Sequence, residues 1–511
     1  LVAALVEGVA RLLKRPASAV QTDIPLTSQG LDSLGAITFA AHLEEKLDVT
    51  VSVEDLLGGQ TLNHLAESLA TGAERATSIP RATPLYSEPG VVAYEASPGQ
   101  TALWMLHHTA PNAATYQIVR AVRLPAEVDA LALRVALQQL ETRHAALRTS
   151  FAEDRGVVQQ RVVDEASVRF DVVECASERH RETMLARAAA KPLALSEAPL
   201  FRTVLYRGPN VAPVLLLVVH HIVADLWSVE GLLRELQELY GAAYHARPSS
   251  LAAARGRVVD YGAYVDAHKD APEGAAVRAY WKRQLDGAPQ VLELPENPAD
   301  DARRGSESAQ VAGRLPLDLS RRVDRLAAAE GTTSFAVLMA AFQLLLHRYT
   351  EQEDLLTGTV STGRSRAEWA NTVGYFRAFV QQTRATLGVA RAHQPYPFPS
   401  MVEDLAGRRR SDMTPLVQAL FAMQQAHQSS DLSAETGRGA NYAPLLLGQE
   451  GGGIPHSDLP LRSVAVPTPS AEFEIAMSVA RGEEEYSLAL LYRTRLFDED
   501  AAGRFVAHYV A

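Results

Sequence analysis

The chain has one cysteine, Cys175, in 511 residues. A lone thiol excludes an intramolecular disulfide framework and any zinc or iron–sulfur site built from several cysteines. Positive charge is also in deficit: 49 Lys+Arg against 60 Asp+Glu leaves a net charge of −11. Phosphate neutralisation needs a basic face, and no Lys/Arg-rich run supplies one, so no nucleic-acid partner is expected. No uncharged apolar run reaches the roughly 18 residues of a membrane span, so no membrane partner is expected either. The opening LVAALVEGVARLLKR places its apolar residues at helical spacing, not in a signal-peptide block, and has no initiator Met. It reads as the start of a piece from a longer polypeptide, with a reducing cytoplasm as the expected setting.

What the chain does have is an ordinary globular composition, 47% hydrophobic and 21% charged, which rules out a disordered chain. At roughly 150 residues per domain, its length allows three or four folding units. The first 70 or so residues repeat apolar positions at helical spacing, as in Ala36, Phe39, Ala40, Leu43 and Leu47, with further turns at 53–57 and 62–69. That pattern predicts a bundle of three or four short helices. Residues 71–90 carry Pro80, Pro84, Pro89 and Gly90 with little periodicity, which is linker composition.

Beyond the linker, strand and helix patterns alternate. Strands are predicted at 116–124, 214–220, 354–360, 473–479 and 486–492, with a hairpin at 151–163. Helices are predicted at 128–143, 228–240, 320–330, 334–349 and 401–405. The run Val214 to His220 is continuously apolar up to its histidine, the mark of a strand buried on both faces. The whole predicts a mixed α/β body in two lobes of similar size. Residues 431–460, rich in Gly, Ser and Asn, read as a mobile insertion.

Two places carry chemistry. In Gln29-Gly30-Leu31-Asp32-Ser33-Leu34, a serine stands where a loop becomes a helix. Spacing alone leaves two readings: an N-cap, whose side-chain oxygen accepts an orphan backbone N–H, or an exposed hydroxyl at a positive helix end, suited to a phosphodiester. The second place is His220-His221-Ile222-Val223-Ala224-Asp225-Leu226-Trp227-Ser228. Adjacent residues at a strand end point to opposite faces, so one histidine at most faces a given cavity. The spacing also lacks the i, i+4 geometry of a helical zinc motif, so no metal is expected. Two hydrogen-bonded core histidines with Asp225 as a helix cap remain one reading. A site at the end of a buried strand is the other.

GLDSL followed by an amphipathic helix resembles the acyl and peptidyl carrier proteins of polyketide and nonribosomal peptide synthesis. HHIVADLWS resembles the HHxxxDG motif of nonribosomal peptide synthetase condensation domains. Four further stretches resemble motifs of that family in the same order: Ser97 to Trp104 (SxxQxxLW), Arg143 to Phe151 (RHxxLRTxF), His393 to Phe398 (HQxxPF) and Pro415 to Phe421 (PLxQxxF). The resemblance implies a small all-α four-helix carrier domain (1–72), a linker (73–92) and a chloramphenicol acetyltransferase-like α/β pseudo-dimer of two lobes (93–262 and 263–511). It implies 4′-phosphopantetheine on Ser33, His221, His220 and Asp225 as the catalytic motif, and Arg364 as the structural partner of Asp225. The implied reaction is amide formation, in which an aminoacyl thioester on a downstream acceptor carrier attacks the donor thioester. An upstream adenylation domain and a phosphopantetheinyl transferase are the other implied partners. Ester formation, or a silent domain that recruits partners, are the competing functions.

The match departs from the family in two places. Leu226 stands where the motif has Gly. After Gly374-Tyr375-Phe376, the start of GYFVNxxxLR, the next residues read as the helix that follows that motif. About fifteen residues are therefore expected to be missing from the numbering between Phe376 and Arg377.

Overall fold

The computed structural model describes residues 1–13, 15–26, 29–31, 35, 36, 38–40, 42, 43, 51, 56, 60–71, 80–109, 114–165, 168–254, 256–289, 291–295, 308–330, 332–361, 363, 364, 369, 372–376, 378–382, 417–424, 441–467, 471–482 and 484–511. Ser33, residues 393–398 and the helix expected at 401–405 lie outside these.

Helix α1 (Val2–Leu12) and helix α2 (Leu62–Thr71) belong to an N-terminal helical unit. Leu5, Val9, Leu31, Ala36, Phe39, Leu43, Leu62 and Leu65 form its core. Gly8 is required there, because a Cβ would come within 2.8 Å of the Phe39 ring.

The linker is structured in its second half. Strand β1 (Tyr86–Glu88) pairs antiparallel with β2 (Val91–Glu95), and helix α3 (Pro98–Thr109) follows. After β3 (Gln117–Arg123), helix α4 (Ala130–Arg143) is N-capped by Asp129, whose carboxylate accepts from the Leu131 and Ala132 N–H groups. The expected hairpin is β4 (Thr149–Asp154) and β5 (Val157–Val163). Strand β6 (Phe170–Glu174), helix α5 (Glu178–Ala190), β7 (Phe201–Gly208), β8 (Val211–His220) and helix α6 (Leu226–Tyr244) complete the first lobe's own run of chain. Strand β8 is buried along its length but antiparallel to both neighbours, β3 and β7. Its continuous apolar run therefore reflects cover on both faces, not parallel pairing.

Helices α7 (Val258–Asp270) and α8 (Pro272–Leu285) lead to the second lobe. This contains β9 (Ser308–Leu315), α9 (Leu317–Ala329), α10 (Ser334–Thr350), β10 (Thr357–Ser361), β11 (Ala378–Gln382) and β12 (Ala419–Gln424). The chain then makes helix α11 (Ala443–Leu446), β13 (Gly453–Ile454) and β14 (Leu461–Val464). It returns through β15 (Ile475–Arg481), β16 (Tyr486–Arg493) and helix α12 (Glu499–Val510). Each lobe carries a six-stranded sheet, ordered β13-β14-β3-β8-β7-β6 in the first and β11-β10-β12-β15-β16-β9 in the second. A four-stranded sheet, β1-β2-β5-β4, stands beside them. No single described helix is long and apolar enough to cross a membrane; only α9 with α10, bent by 109°, passes that test as a pair.

Two expectations need correcting. The described part of the supposed mobile insertion, 441–460, is a packed crossover: its β13 pairs with β14 just beyond it, and β14 pairs with β3, so chain from the second lobe forms the edge of the first lobe's sheet. Gln237 Nε2 donates to the carbonyls of Leu459 (2.8 Å) and Ile454 (3.2 Å), which pins the crossover to α6. Its glycines serve tight turns and a close approach, as at Gly451 with φ +98° and at Gly452, whose N–H donates to Ser463 Oγ at 2.7 Å. The residues after Phe376, read as a helix, form strand β11, antiparallel to β10 from Ser361↔Ala378 to Thr357↔Gln382. A run of five has no helical period to betray, and its pairing partner lies well back in the chain. The sequence is continuous through this point, and β11 follows Phe376 after one residue, so no fifteen-residue omission is needed to supply a strand there. Arg377 itself lies outside the described residues.

One buried group sets a pH dependence. Glu141, on α4, is fully buried, and neither carboxylate oxygen has a hydrogen-bond partner among the described residues. Burial raises its pKa from 4.5 to about 7, partly offset by Arg148 and Arg169. The folded state thus holds this proton where the unfolded chain has released it. This contribution to stability is fully present below about pH 4.5 and is lost as pH rises to about 7, a loss of about 3 kcal/mol. Glu141→Gln is expected to raise the midpoint of thermal unfolding by several degrees at pH 8 and by little at pH 4.5. Equal shifts at both values would remove Glu141 ionisation from the account.

Candidate active site

Strand β8 ends at His220, and the chain turns through 221–225 into α6. The Val223 N–H donates to the His220 carbonyl (3.1 Å), and the His221 N–H to the Tyr116 carbonyl (2.7 Å), which fixes the turn at the end of the sheet. From beneath, Gln100 Nε2 donates to the Ile222 carbonyl (3.3 Å), while Gln100 Oε1 accepts from the Ser97 N–H (2.9 Å). The SxxQ stretch thus supports the histidine loop. The RH pair of the next motif holds α6 itself. Glu235 Oε2 meets His144 Nε2 at 2.6 Å and Arg143 Nε at 3.0 Å. Burial pushes the Glu235 carboxyl up, but its bonds and charge contacts with His144 and Arg143 outweigh burial and hold it below the usual range.

The two histidines are placed differently. His220 is 2% exposed, its ring edge-on to His107 of α3 at 5.6 Å. Its Nδ1 accepts the Ile222 N–H at 3.1 Å, so its proton sits on Nε2. Burial first, then the neighbouring imidazoles His107 and His221, push its pKa down to about 3, and it is neutral at physiological pH. His221 is half-buried, and its Nδ1 lies 2.7 Å from the Ala224 carbonyl. A carbonyl only accepts, so Nδ1 carries a proton; in the neutral ring the lone pair is then on Nε2. The Tyr375 ring stands perpendicular to the His221 ring at 5.4 Å.

Asp225 is both cap and ion-pair partner. As N-cap of α6, its Oδ1 accepts from the Ser228 N–H at 2.7 Å and from Ser228 Oγ at 2.6 Å. Arg364, fully buried, donates through Nη2 to the same oxygen at 3.0 Å and through Nη1 to Oδ2. The rest of the guanidinium is committed to the second lobe: Nε donates to the Trp369 carbonyl and Nη2 to the Thr372 carbonyl, both at 3.1 Å, and the Phe376 ring lies 4.3 Å away. Ser228 Oγ also accepts from Arg364 Nη2 and from the Gly374 N–H, each at 3.1 Å. Gly363 makes this possible. At φ +63° it has the Phe376 carbonyl oxygen 1.6 Å from where a Cβ would be, so no other residue fits before Arg364.

His220, His221, Asp225 and Arg364 therefore come together, whereas Ser33 lies outside the described residues. Ser228 and Tyr375 went unread in the sequence. Ser228 looks like an ordinary first-turn residue, and Tyr375 comes from a segment 150 residues downstream. Among the described residues, no group of three His, Cys, Asp or Glu side chains gathers as metal ligands.

Comparison with known proteins places this geometry. Residues 92–511 match the family Condensation domain, and residues 3–69 match the family Phosphopantetheine attachment site. The chain belongs to the condensation-domain family. It joins a carrier domain, the attachment site of covalent 4′-phosphopantetheine, to a condensation domain of the nonribosomal peptide synthetase type. It is 30% identical to the phosphinothricin tripeptide synthetase PhsB of Streptomyces viridochromogenes, over 95% of this chain and 41% of that protein. It is 29% identical to a linear gramicidin synthase polypeptide of Brevibacillus parabrevis, over 94% of this chain and 9% of that protein. The chain thus spans well under half the length of these relatives. In fold it resembles a four-domain nonribosomal peptide synthetase bound to AMP and glycine (TM-score 0.70, 19% identity, 85% of this chain and 33% of that one). It also resembles the X-domain from teicoplanin biosynthesis (TM-score 0.67, 23% identity, 85% and 95%). The chloramphenicol acetyltransferase-like arrangement of two lobes is the architecture of this condensation domain.

Breaking one side of a buried pair strands the other charge. Arg364→Ala is expected to cost about 3–5 kcal/mol in chemical denaturation. Arg364→Lys should recover less than half of that, because an ammonium cannot reproduce the guanidinium fork. A lysine variant as stable as the wild type would show that the fork is dispensable.

Proposed function

We propose that the condensation domain forms an amide bond between a donor thioester on the preceding carrier and the amine of an aminoacyl thioester on a downstream carrier. His221 is the group that handles the proton. The observation that carries this is its tautomer: with Nδ1–H held by the Ala224 carbonyl, Nε2 presents a lone pair. As the amine nitrogen bonds to the donor carbonyl carbon, Nε2 accepts a proton from that nitrogen. The carbon–sulfur bond breaks, and the proton passes on to the departing thiolate. His220, buried and oppositely protonated, serves as a support for the loop. Asp225 and Arg364 hold the start of α6. A free amine is already nucleophilic, so orientation of two tethered substrates carries much of the rate, and loss of a general base removes about 10²–10⁴-fold.

On the carrier, Ser33 is the proposed attachment point. Its flanks suit that role: Leu31 and Ala36 are anchored in the core, and Gly30, at φ +100°, has open space where a side chain would stand. Bound there, 4′-phosphopantetheine supplies the thiol that carries the donor as a thioester. This reading assigns the carrier to 1–72, the linker to 73–92 and the lobes to 93–262 and 263–511. It requires a phosphopantetheinyl transferase, an adenylation domain to load the donor and an acceptor carrier, all in the cytoplasm.

Intact-mass spectrometry after incubation with coenzyme A and a phosphopantetheinyl transferase should show one added arm, absent in Ser33→Ala. With a loaded acceptor carrier supplied, wild type should form amide and His221→Ala at least 100-fold less. Equal product from both would reduce His221 to a structural residue. No product from either would favour a recruiting role.

A further inference from the structure

The linker between carrier and condensation domain is gripped at its middle. Asp260, in the first turn of α7, is 1% exposed. Its carboxylate accepts from two consecutive linker residues, Arg81 Nη1 at 2.7 Å and the Ala82 N–H at 2.9 Å. Arg257 Nη2, from the N-cap residue of the same helix, lies 3.6 Å away. An ion pair between exposed groups would hold a tether weakly. Here both oxygens of a buried carboxylate are engaged by the linker, and releasing it would leave that charge underpaired.

A second contact lies on the other side of the tether. Trp227, the second residue of α6, packs against the buried core of the carrier domain. Its ring centroid is 5.8 Å from the Arg364 guanidinium carbon, and it stands two residues from Asp225. The carrier therefore rests on the first turn of α6, directly after the turn that begins at His221.

We propose that the first turn of α6, anchored by Trp227, is the docking surface for this chain's own carrier, and that the Arg81–Asp260 latch keeps the carrier on that side. The proposal rests on the reading that this carrier delivers the donor. Chain length makes the latch matter. Nine residues lie between the end of α2 at Thr71 and Arg81, and the ten Cα–Cα steps extend to at most about 35 Å. A compact body of the condensation domain's size is about 55 Å across, so a latched carrier cannot reach its far face. Without the latch the next fixed point is Leu85, whose N–H donates to the Ala93 carbonyl. The reach then grows to about 50 Å, still short of the far face, so what the latch changes is the effective concentration at the near face, which falls roughly twofold without it.

The test uses the whole chain, spin-labelled at Glu7→Cys on the carrier and Arg179→Cys on the first lobe; Cys175 is buried and escapes labelling. Pulsed electron–electron resonance should give one narrow distance population, broadened by Arg81→Ala and by Trp227→Ala. Asp260→Asn serves as a second latch variant, with its folding checked by circular dichroism. Arg81→Ala should also slow condensation roughly twofold when the donor is on the carrier, and leave it unchanged when the donor is a soluble pantetheinyl thioester. Distances in Arg81→Ala that superimpose on wild type, or an equal loss with the soluble donor, would overturn the latch. Failure of the wild type to condense either donor would instead sink the donor reading, and the distances would still decide the latch.

Discussion

The buried carboxylate of Asp225 is the constraint on which the site depends. A charge at 8% exposure is tolerable only if it is paired and hydrogen-bonded. Its partners come from two separate stretches: the first turn of α6 in the first lobe, and Arg364, after β10 of the second. The guanidinium is in turn tied to the Trp369 and Thr372 carbonyls, and Ser228 to the Gly374 backbone. Separating the lobes would strand a charge on each side. The histidine four residues before Asp225 inherits its position from that joint, although neither Asp225 nor Arg364 is proposed to meet the substrates.

Burial then divides labour between two neighbouring residues of the same type. His220 lies inside, takes a proton on Nε2 because a backbone N–H occupies Nδ1, and stays neutral far below physiological pH. His221 is only half-buried and takes the opposite tautomer, because a carbonyl faces its Nδ1. The backbone of the turn from His221 to Asp225 makes both choices, and Gln100 fixes that turn through the Ile222 carbonyl. The order of the two histidines at a strand end therefore matters chemically, with one serving as a prop and the other offering a nitrogen lone pair.

Much of this was legible in the chain. The apolar run into His220 announced the central strand, and the alternation of periods announced α4, α6 and α10. Elsewhere local pattern misled for identifiable reasons. Five residues after Phe376 carry too short a period to tell helix from strand, and they became β11 because β10 offered an edge. A Gly-rich stretch looked loose, yet where it is described it is the crossover strap that completes the first lobe's sheet, since glycine serves tight approach as readily as mobility. The Pro-rich linker looked featureless because Arg81 and the Ala82 N–H are held by a carboxylate nearly 180 residues away.

By itself the sequence determined the residue types and their order: a serine at a loop-to-helix junction, two histidines and an aspartate at the end of a buried strand, and an arginine after a later strand. These are local facts, written in spacing and hydrophobic period. Only the tertiary structure decided which ring nitrogen of each histidine faces the backbone of the turn, that Asp225 is cap and counter-ion at once, and that Ser228, Gly363 and Tyr375 belong to the same site. Protonation, desolvation and pairing depend on which atoms meet in space: the tautomers are set within one turn, while the Asp225–Arg364 pair joins segments more than a hundred residues apart.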